Sequence, residues 1–188
     1  MPANTPRGYT YPLLSDVQNF PAQIQDLAQD IDADVEALDD AIQAAFNRDS
    51  ARLSGPVGGT QAVASGAAGV SVTYSTEEYD NAGMANLGVN NDRLTIVNGG
   101  VYLIVAHVTF GPGPNTTWGA RLQFVTTGAT VLNPTRLTRQ GHNTLSTNMT
   151  ILSIHNAPAT STIAVNAAQV SGASVNITDC ALSATLMT

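Results

Sequence analysis

The run VYLIVAHVTF, residues 101–110, decides the fold. Val, Ile, Tyr and Phe favour extended backbone, and turn formers bound the run at 98–100 and 111–115. As a strand it carries Val101, Leu103, Val105, His107 and Thr109 on one face. The other face carries Tyr102, Ile104, Ala106, Val108 and Phe110. Both faces are apolar. A strand in a two-sheet sandwich needs one apolar face, so something beyond the sandwich must hide the second. Packing of copies about a threefold axis would hide it.

Comparable segments recur on either side. Stretches rich in Val, Ile, Leu, Thr and aromatics stand at 70–75, 93–97, 119–126, 130–137, 144–155, 162–170, 174–177 and 181–187, with turn clusters between them. Eight or so strands in one stretch predict a mainly β chain whose residues 70–188 form a jelly-roll β-sandwich head. Val101, Tyr102, Leu103, Ile104, Val105, His107, Phe110, Leu182 and Leu186 are expected in its core or at its trimer interface.

Upstream the period changes. Residues 21–52 predict a stalk helix, with Pro21 in its first turn. With Ile24 at heptad position d, Ala28 falls at a, Ile31 at d, Val35 at a, Leu38 at d, Ile42 at a and Ala45 at d. All are apolar, and the positions between are mostly Gln, Asp and Glu. That is the coiled-coil period, and β-branched residues at both a and d point to three or more strands rather than two. The sequence-level alternative is one amphipathic helix packed on its own domain. In the coiled register Asp34 is at g and Asp39 at e, so a parallel bundle brings like charges together. Residues 53–69, with Gly55, Pro56, Gly58, Gly59, Gly66 and Gly69, read as a Gly-rich linker. Residues 1–20 read as an extended anchor, because Pro2, Pro6 and Pro12 forbid a continuous helix. Tyr9, Tyr11, Leu13, Leu14 and Phe20 make this stretch too apolar for a solvated leader, so it is expected to dock into a partner.

Charge divides the chain at the same place. Residues 1–50 hold nine acids and two arginines, a balance of −7, whereas 51–188 hold five acids and five arginines and balance to zero. Nothing supplies the basic footprint that nucleic acid requires. One cysteine, Cys180, excludes an intrachain disulfide. No apolar run reaches a membrane span and no export signal opens the chain, so folding in a reducing cytosol is expected.

Chemistry-bearing residues are few. His107, His142 and His155 lack metal-ligand spacing, so no metal or cofactor is expected, and His107 reads as a buried or interfacial side chain. Glu77, Glu78 and Asp80 are the one acidic cluster of the head and read as a solvated turn. No second cluster supports the paired carboxylates of a glycosidase, and no Gly-x-Ser-x-Gly elbow is present. Cys180 has no basic neighbour to activate it. No catalytic residue is assigned. Asn115, Thr116, Thr117 and Trp118 follow GPGP in a candidate ligand loop, where Trp118 is either an exposed contact or a core residue.

These residues resemble a known family. The stretch from VSVTYSTEEYDNAGMANL to YLIVAHVTF, then WGARLQFVTTGATVL and the closing DCALSATLM, is similar to the globular head shared by complement subcomponent q and tumour necrosis factor. The matching landmarks are Tyr79–Asp80 with Gly83, Gly100–Val101–Tyr102, and the alternation Leu182, Ala184, Leu186. The resemblance implies a ten-strand jelly roll that trimerises through its inner sheet. The opening NTPRGYTYPLLSDVQNFPAQIQ resembles the leader of small structural proteins of tailed bacteriophages, especially those of actinobacterial hosts. Together these imply a non-enzymatic homotrimer located in a virion. It would be a head fibre, capsid decoration or minor tail fibre, attached to other virion proteins by its N-terminus and presenting its head to a host glycan or protein. A cellular trimeric adhesin and a glycan-degrading fibre are the alternatives.

Overall fold

The computed structural model describes residues 3–4, 10–11, 20–46, 48–115, 118–127, 130–131 and 136–187. They fall into two compact units, Met1–Asn47 and Arg48–Thr188.

In the first unit β1 (Ala3–Asn4) pairs antiparallel with β2 (Thr10–Tyr11). Of the expected anchor residues, Tyr11 lies in β2, whereas Tyr9, Leu13 and Leu14 lie outside the described residues. The helix α1 spans Phe20–Phe46, so Phe20 opens the helix rather than closing the extended anchor. Its 27 residues reach about 40 Å at 1.5 Å each. Ala, Leu, Gln and Glu favour the helix, and no glycine interrupts it. Ile24 and Leu38 are 61% exposed and Val35 60%, with Ile31, Ile42 and Ala28 also exposed. One chain therefore leaves its seam from Ile24 to Ile42 exposed, and the side chain of Ala45 lies outside the described residues.

The second unit is a β-sandwich. Its strands are β3 (Ser50–Pro56), β4 (Gln61–Val63), β5 (Gly66–Ser71), β6 (Tyr74–Asp80), β7 (Arg93–Thr95), β8 (Gly100–Phe110), β9 (Trp118–Thr127), β10 (Thr130–Val131), β11 (Arg136–Gly141), β12 (Thr147–Ala157), β13 (Thr162–Val170) and β14 (Val175–Leu186). The first sheet has the order β10-β12-β8-β14-β3-β6, with β4 also paired to β14, and the second has the order β11-β9-β13-β7. The strands named in these orders pair antiparallel, an isolated bridge between Ser65 and Gln169 is parallel, and spatial neighbours such as β8 and β14 are far apart in sequence. β5 lies against β13, where Val72 N–H donates to the Val165 carbonyl at 2.8 Å. At Gly69, with φ +74°, a Cβ would stand 2.0 Å from Asn166 Oδ1, so only glycine permits this approach.

Two expected boundaries are corrected. The helix stops at Phe46, not at 52, and residues 53–69 are no linker: β3, β4 and β5 occupy most of them. In β3 the side chains of Ala51 and Leu53 point into the core, while Arg52 and Ser54 stand outside. That two-residue alternation is short and surrounded by Ser, Gly and Pro, which hid it.

The core lies between the sheets. Tyr102, Ile104, Ala106, Val108 and Phe110 of β8 are fully buried and face Leu122, Ile163 and Val165 of the second sheet across the sandwich. Cys180 is buried in the same core, and burial, aided by the charge of Asp179, pushes its thiol up to about 12. The expected strands 174–177 and 181–187 are one strand, β14, with a bulge between Ile177 and Asp179. Of the expected strand 130–137, residues 130–131 lie in β10 and 136–137 in β11, while 132–135 lie outside the described residues. Glu77 and Glu78 stand on edge strand β6 rather than in a turn, and Glu78 pairs with Arg52. Asp80 does form the turn: its Oδ1 accepts from Ala82 N–H at 3.2 Å and Met84 N–H at 2.9 Å, and its Oδ2 from Ala85 N–H at 2.8 Å.

Asp49 ties the head's ends together. Its buried carboxylate accepts from the Tyr102 hydroxyl at 3.1 Å and from the Asn98 side-chain amide at 3.0 Å, and its carbonyl accepts from Leu186 N–H at 2.8 Å. Burial first, and the charge of Asp49 next, raise the Tyr102 phenol, which keeps it a donor to that carboxylate.

Candidate functional site

The strand β8 alternates strictly between the two sides of the first sheet. Tyr102, Ile104 and Phe110 turn inward with Leu182 of β14, so these four belong to the intrachain core and not to a contact between copies. Val101, Leu103, Val105 and His107 turn outward and remain half-buried. Leu186 at the end of β14 is half-buried and packs against the core.

The outward face gains residues that sequence reading did not single out. The antiparallel register sets Leu103 beside Ile154 and Val105 beside Leu152, on β12. On the other flank Val105 lies beside Ser183, and His107 beside Ala181, on β14. Leu152 is 54% exposed although it sits on a strand paired on both sides. The period-2 pattern of 147–157 carried this signal: Met149, Ile151 and Ser153 go in, so Leu152 and Ile154 go out.

Polar groups bound this apolar band. At one end His107 Nδ1 lies 3.1 Å from Thr150 Oγ1 and Nε2 lies 3.0 Å from Thr109 Oγ1, with Asp179 Oδ2 at 3.6 Å from Nε2. At the other end stand Asn156, exposed, and Thr185. An apolar band rimmed by polar groups is the form of an association surface.

The candidate ligand loop is only partly realised. Thr116 and Thr117 lie outside the described residues. The Asn115 amide donates to the Ser171 carbonyl. Trp118 takes the core reading: it is 4% exposed, meets Phe110 edge-to-face at 5.8 Å, and donates its indole N–H to the His142 carbonyl at 3.1 Å. Glycines make room for the ring, since a Cβ on Gly141 would lie 2.1 Å from Trp118 Cε2. His155 is also buried, edge-on to Phe124 at 6.0 Å, with no hydrogen-bond partner on either ring nitrogen among the described residues. Burial lowers its pKa from the ordinary value. Among the described residues no group of three or more His, Cys, Asp or Glu could hold a metal ion, and no helix is long and apolar enough to cross a membrane.

No family model matches the chain, and no curated protein matches it. Solved structures do. The globular domain of zebrafish complement 1qA protein is similar at TM-score 0.49 and 11% identity, over 75% of this chain and 98% of that one. The Eiger TNF of S. frugiperda is similar at TM-score 0.52 and 12% identity, over 75% of this chain and 93% of that one. The head of this chain thus shares its jelly-roll fold with the tumour necrosis factor structure.

Proposed function

We propose that the chain is one subunit of a homotrimeric, non-enzymatic fibre, in which α1 forms a three-stranded stalk and the open face of the first sheet packs against its copies. The observation that carries this reading is that two separate apolar surfaces, the helix seam and the band around Val105 and Leu152, stay exposed or half-exposed among the described residues of one chain. Self-association answers both. The resemblance of residues 70–188 to the complement and tumour necrosis factor heads points the same way, since that family trimerises through the corresponding sheet.

The fibre belongs to a phage virion, attached through residues 1–20 and presenting the head outward. The opening sequence and the order of leader, stalk and head support this assignment. Three copies of a weak head site would act together by avidity.

Sedimentation equilibrium of the full chain tests the assembly: the reading requires a species of three times 19.5 kDa at micromolar concentration. A well-folded monomer would sink it. Cryo-electron microscopy of purified particles tests the location, because density for this head should stand on the outer surface of capsid or tail.

A further inference from the structure

One end of the head is built without charge. The turns that follow β8, β11 and β13 lie at the end away from Asp49. They come from residues 111–120 and 140–178, and the segment 53–76 reaches them through Ser65, whose Oγ accepts from Gly172 N–H at 2.9 Å. None of these three stretches contains Asp, Glu, Lys or Arg. The ions flanking them stand back on the strands, Arg139 on β11 and Asp179 on β14. Apolar side chains are nevertheless exposed at this end. Leu145, in the turn before β12, is 64% exposed, and Val170, the last residue of β13, is 57% exposed. Pro112, Pro114 and Ala173 are exposed as well. None of them stands on the outward face of β8, β12 or β14, so packing of copies on that face does not use them.

The polar groups of these turns are turned on one another. Gly111 N–H donates to the Asn176 carbonyl at 2.8 Å and Gly113 N–H to the His142 carbonyl at 3.1 Å. The Asn115 amide donates to the Ser171 carbonyl. Ser171 N–H donates to Gln169 Oε1 at 2.7 Å, and its hydroxyl to the Ala173 carbonyl at 2.8 Å. Thr144 N–H donates to His142 Nδ1 at 3.1 Å, and the Ser174 hydroxyl to the Val63 carbonyl at 3.3 Å. Turns usually leave such groups to water. Here they are joined across separate turns, which is what backbone needs before it enters an apolar medium.

We propose that this end of the head docks on a lipid surface, setting Leu145 and Val170 into the boundary between headgroups and acyl chains without spanning the bilayer. Two observations on the page select lipid. No ion has to be stripped of water on entry, a cost that a charged tip would meet. The hydrogen bonds of the turns are already closed. A sugar or a peptide is recognised through donors and acceptors left open to it, whereas these turns direct theirs inward. A groove on a protein would demand one shaped ridge, whereas the apolar groups here are spread over separate turns, which suits a fluid surface. The inference goes beyond the trimer reading and holds for a single head; three copies would multiply the contact.

Flotation of the full chain with phosphatidylcholine vesicles tests the proposal. At about 1 mM lipid, a contact tenfold weaker than one myristoyl anchor still floats about half of the chain. At least that share should float, equally in about 0.05 and 0.5 M salt because no ion takes part. Leu145→Asp should weaken binding at least tenfold, with thermal unfolding unchanged because the side chain is exposed. Leu145→Trp should keep binding, and the emission of the added indole should shift to the blue with vesicles. Val125→Asp, at an exposed apolar position of β9 far from these turns, should float like wild type. Absence of flotation would overturn the proposal. So would flotation that survives Leu145→Asp, which would place the contact on the helix seam or residues 1–20. Flotation that needs anionic lipid and is lost in salt, or an assembly larger than a trimer that Leu145→Asp shrinks without vesicles, would overturn it as well.

Discussion

Replacing Leu152 by Asp separates association from folding. Leu152 is 54% exposed in the single chain, and fully burying a leucine contributes about 1.5–3 kcal/mol. Roughly half of that, ~1 kcal/mol per chain, is left to be gained when copies pack. An unpaired carboxylate at the same place adds a desolvation cost of at least ~2 kcal/mol. Three chains together lose on the order of 10 kcal/mol, and at 1.4 kcal/mol per decade the trimer dissociation constant rises by about seven decades. Stability of the single head should move by no more than ~0.5 kcal/mol, as for other surface positions. Sedimentation velocity at micromolar protein should compare wild type, Leu152→Asp, the seam variant Val35→Asp and the double variant, since the stalk alone could hold three copies. The double variant should be monomeric with an intact head by circular dichroism. If it sediments as a trimer, neither surface holds the copies together and the reasoning fails.

Three further outcomes are expected. The lowered pKa of His155 means that the unfolded chain takes up its proton first, so stability is complete above pH ~6.5 and falls as pH drops toward the folded value, by at most ~1.4 kcal/mol per unit; urea melts at pH 7 and 5.5 should show this loss in wild type and not in His155→Phe. Gly141→Ala drives a methyl into Trp118 and should cost ~1–3 kcal/mol. Trp118 is the one tryptophan, so its fluorescence reports the displacement directly, and an unchanged spectrum and melting point would remove the packing claim. In the proposed parallel stalk Asp34 and Asp39 would face one another between chains, so raising salt from about 0.05 to 0.5 M should tighten the trimer; indifference to salt means the heptad register is wrong.

Strong periodic runs were legible in the sequence, and short or composite ones were not. Residues 101–110 announced β8 because a long run rich in Val, Ile and aromatics stands between turn formers, and 162–170, bounded by turn clusters, announced β13. β3 and β6 were not legible. β3 buries few side chains, and β6 leaves Ser75 to Tyr79 exposed, so tertiary pairing at 51–56 with 74–80 and not local pattern makes them strands. The two apolar faces of β8 were readable, but which neighbours complete the outer one was not. Leu152 and Ile154 arrive through a register fixed across some fifty residues. Trp118 reads equally as contact or core until Gly113 and Gly141, distant from each other in sequence, are seen to enclose it. Asp49 looked like one acid among nine, because its partners Asn98 and Tyr102 come from another segment.

The tie at Asp49 gives the lobe a polarity. First and last strands begin and finish at one pole, where Arg48 Nη1 also reaches the Met187 carbonyl at 3.0 Å. The turns at 111–115, 142–146 and 171–174 gather at the opposite pole, joined through Gly113 to His142 and Asn115 to Ser171. The 11 residues of β8 span the gap, about 35 Å. A foreign epitope grafted beside Leu145, 64% exposed, would ride on the far tip, while a tag fused after Met187 would crowd the base.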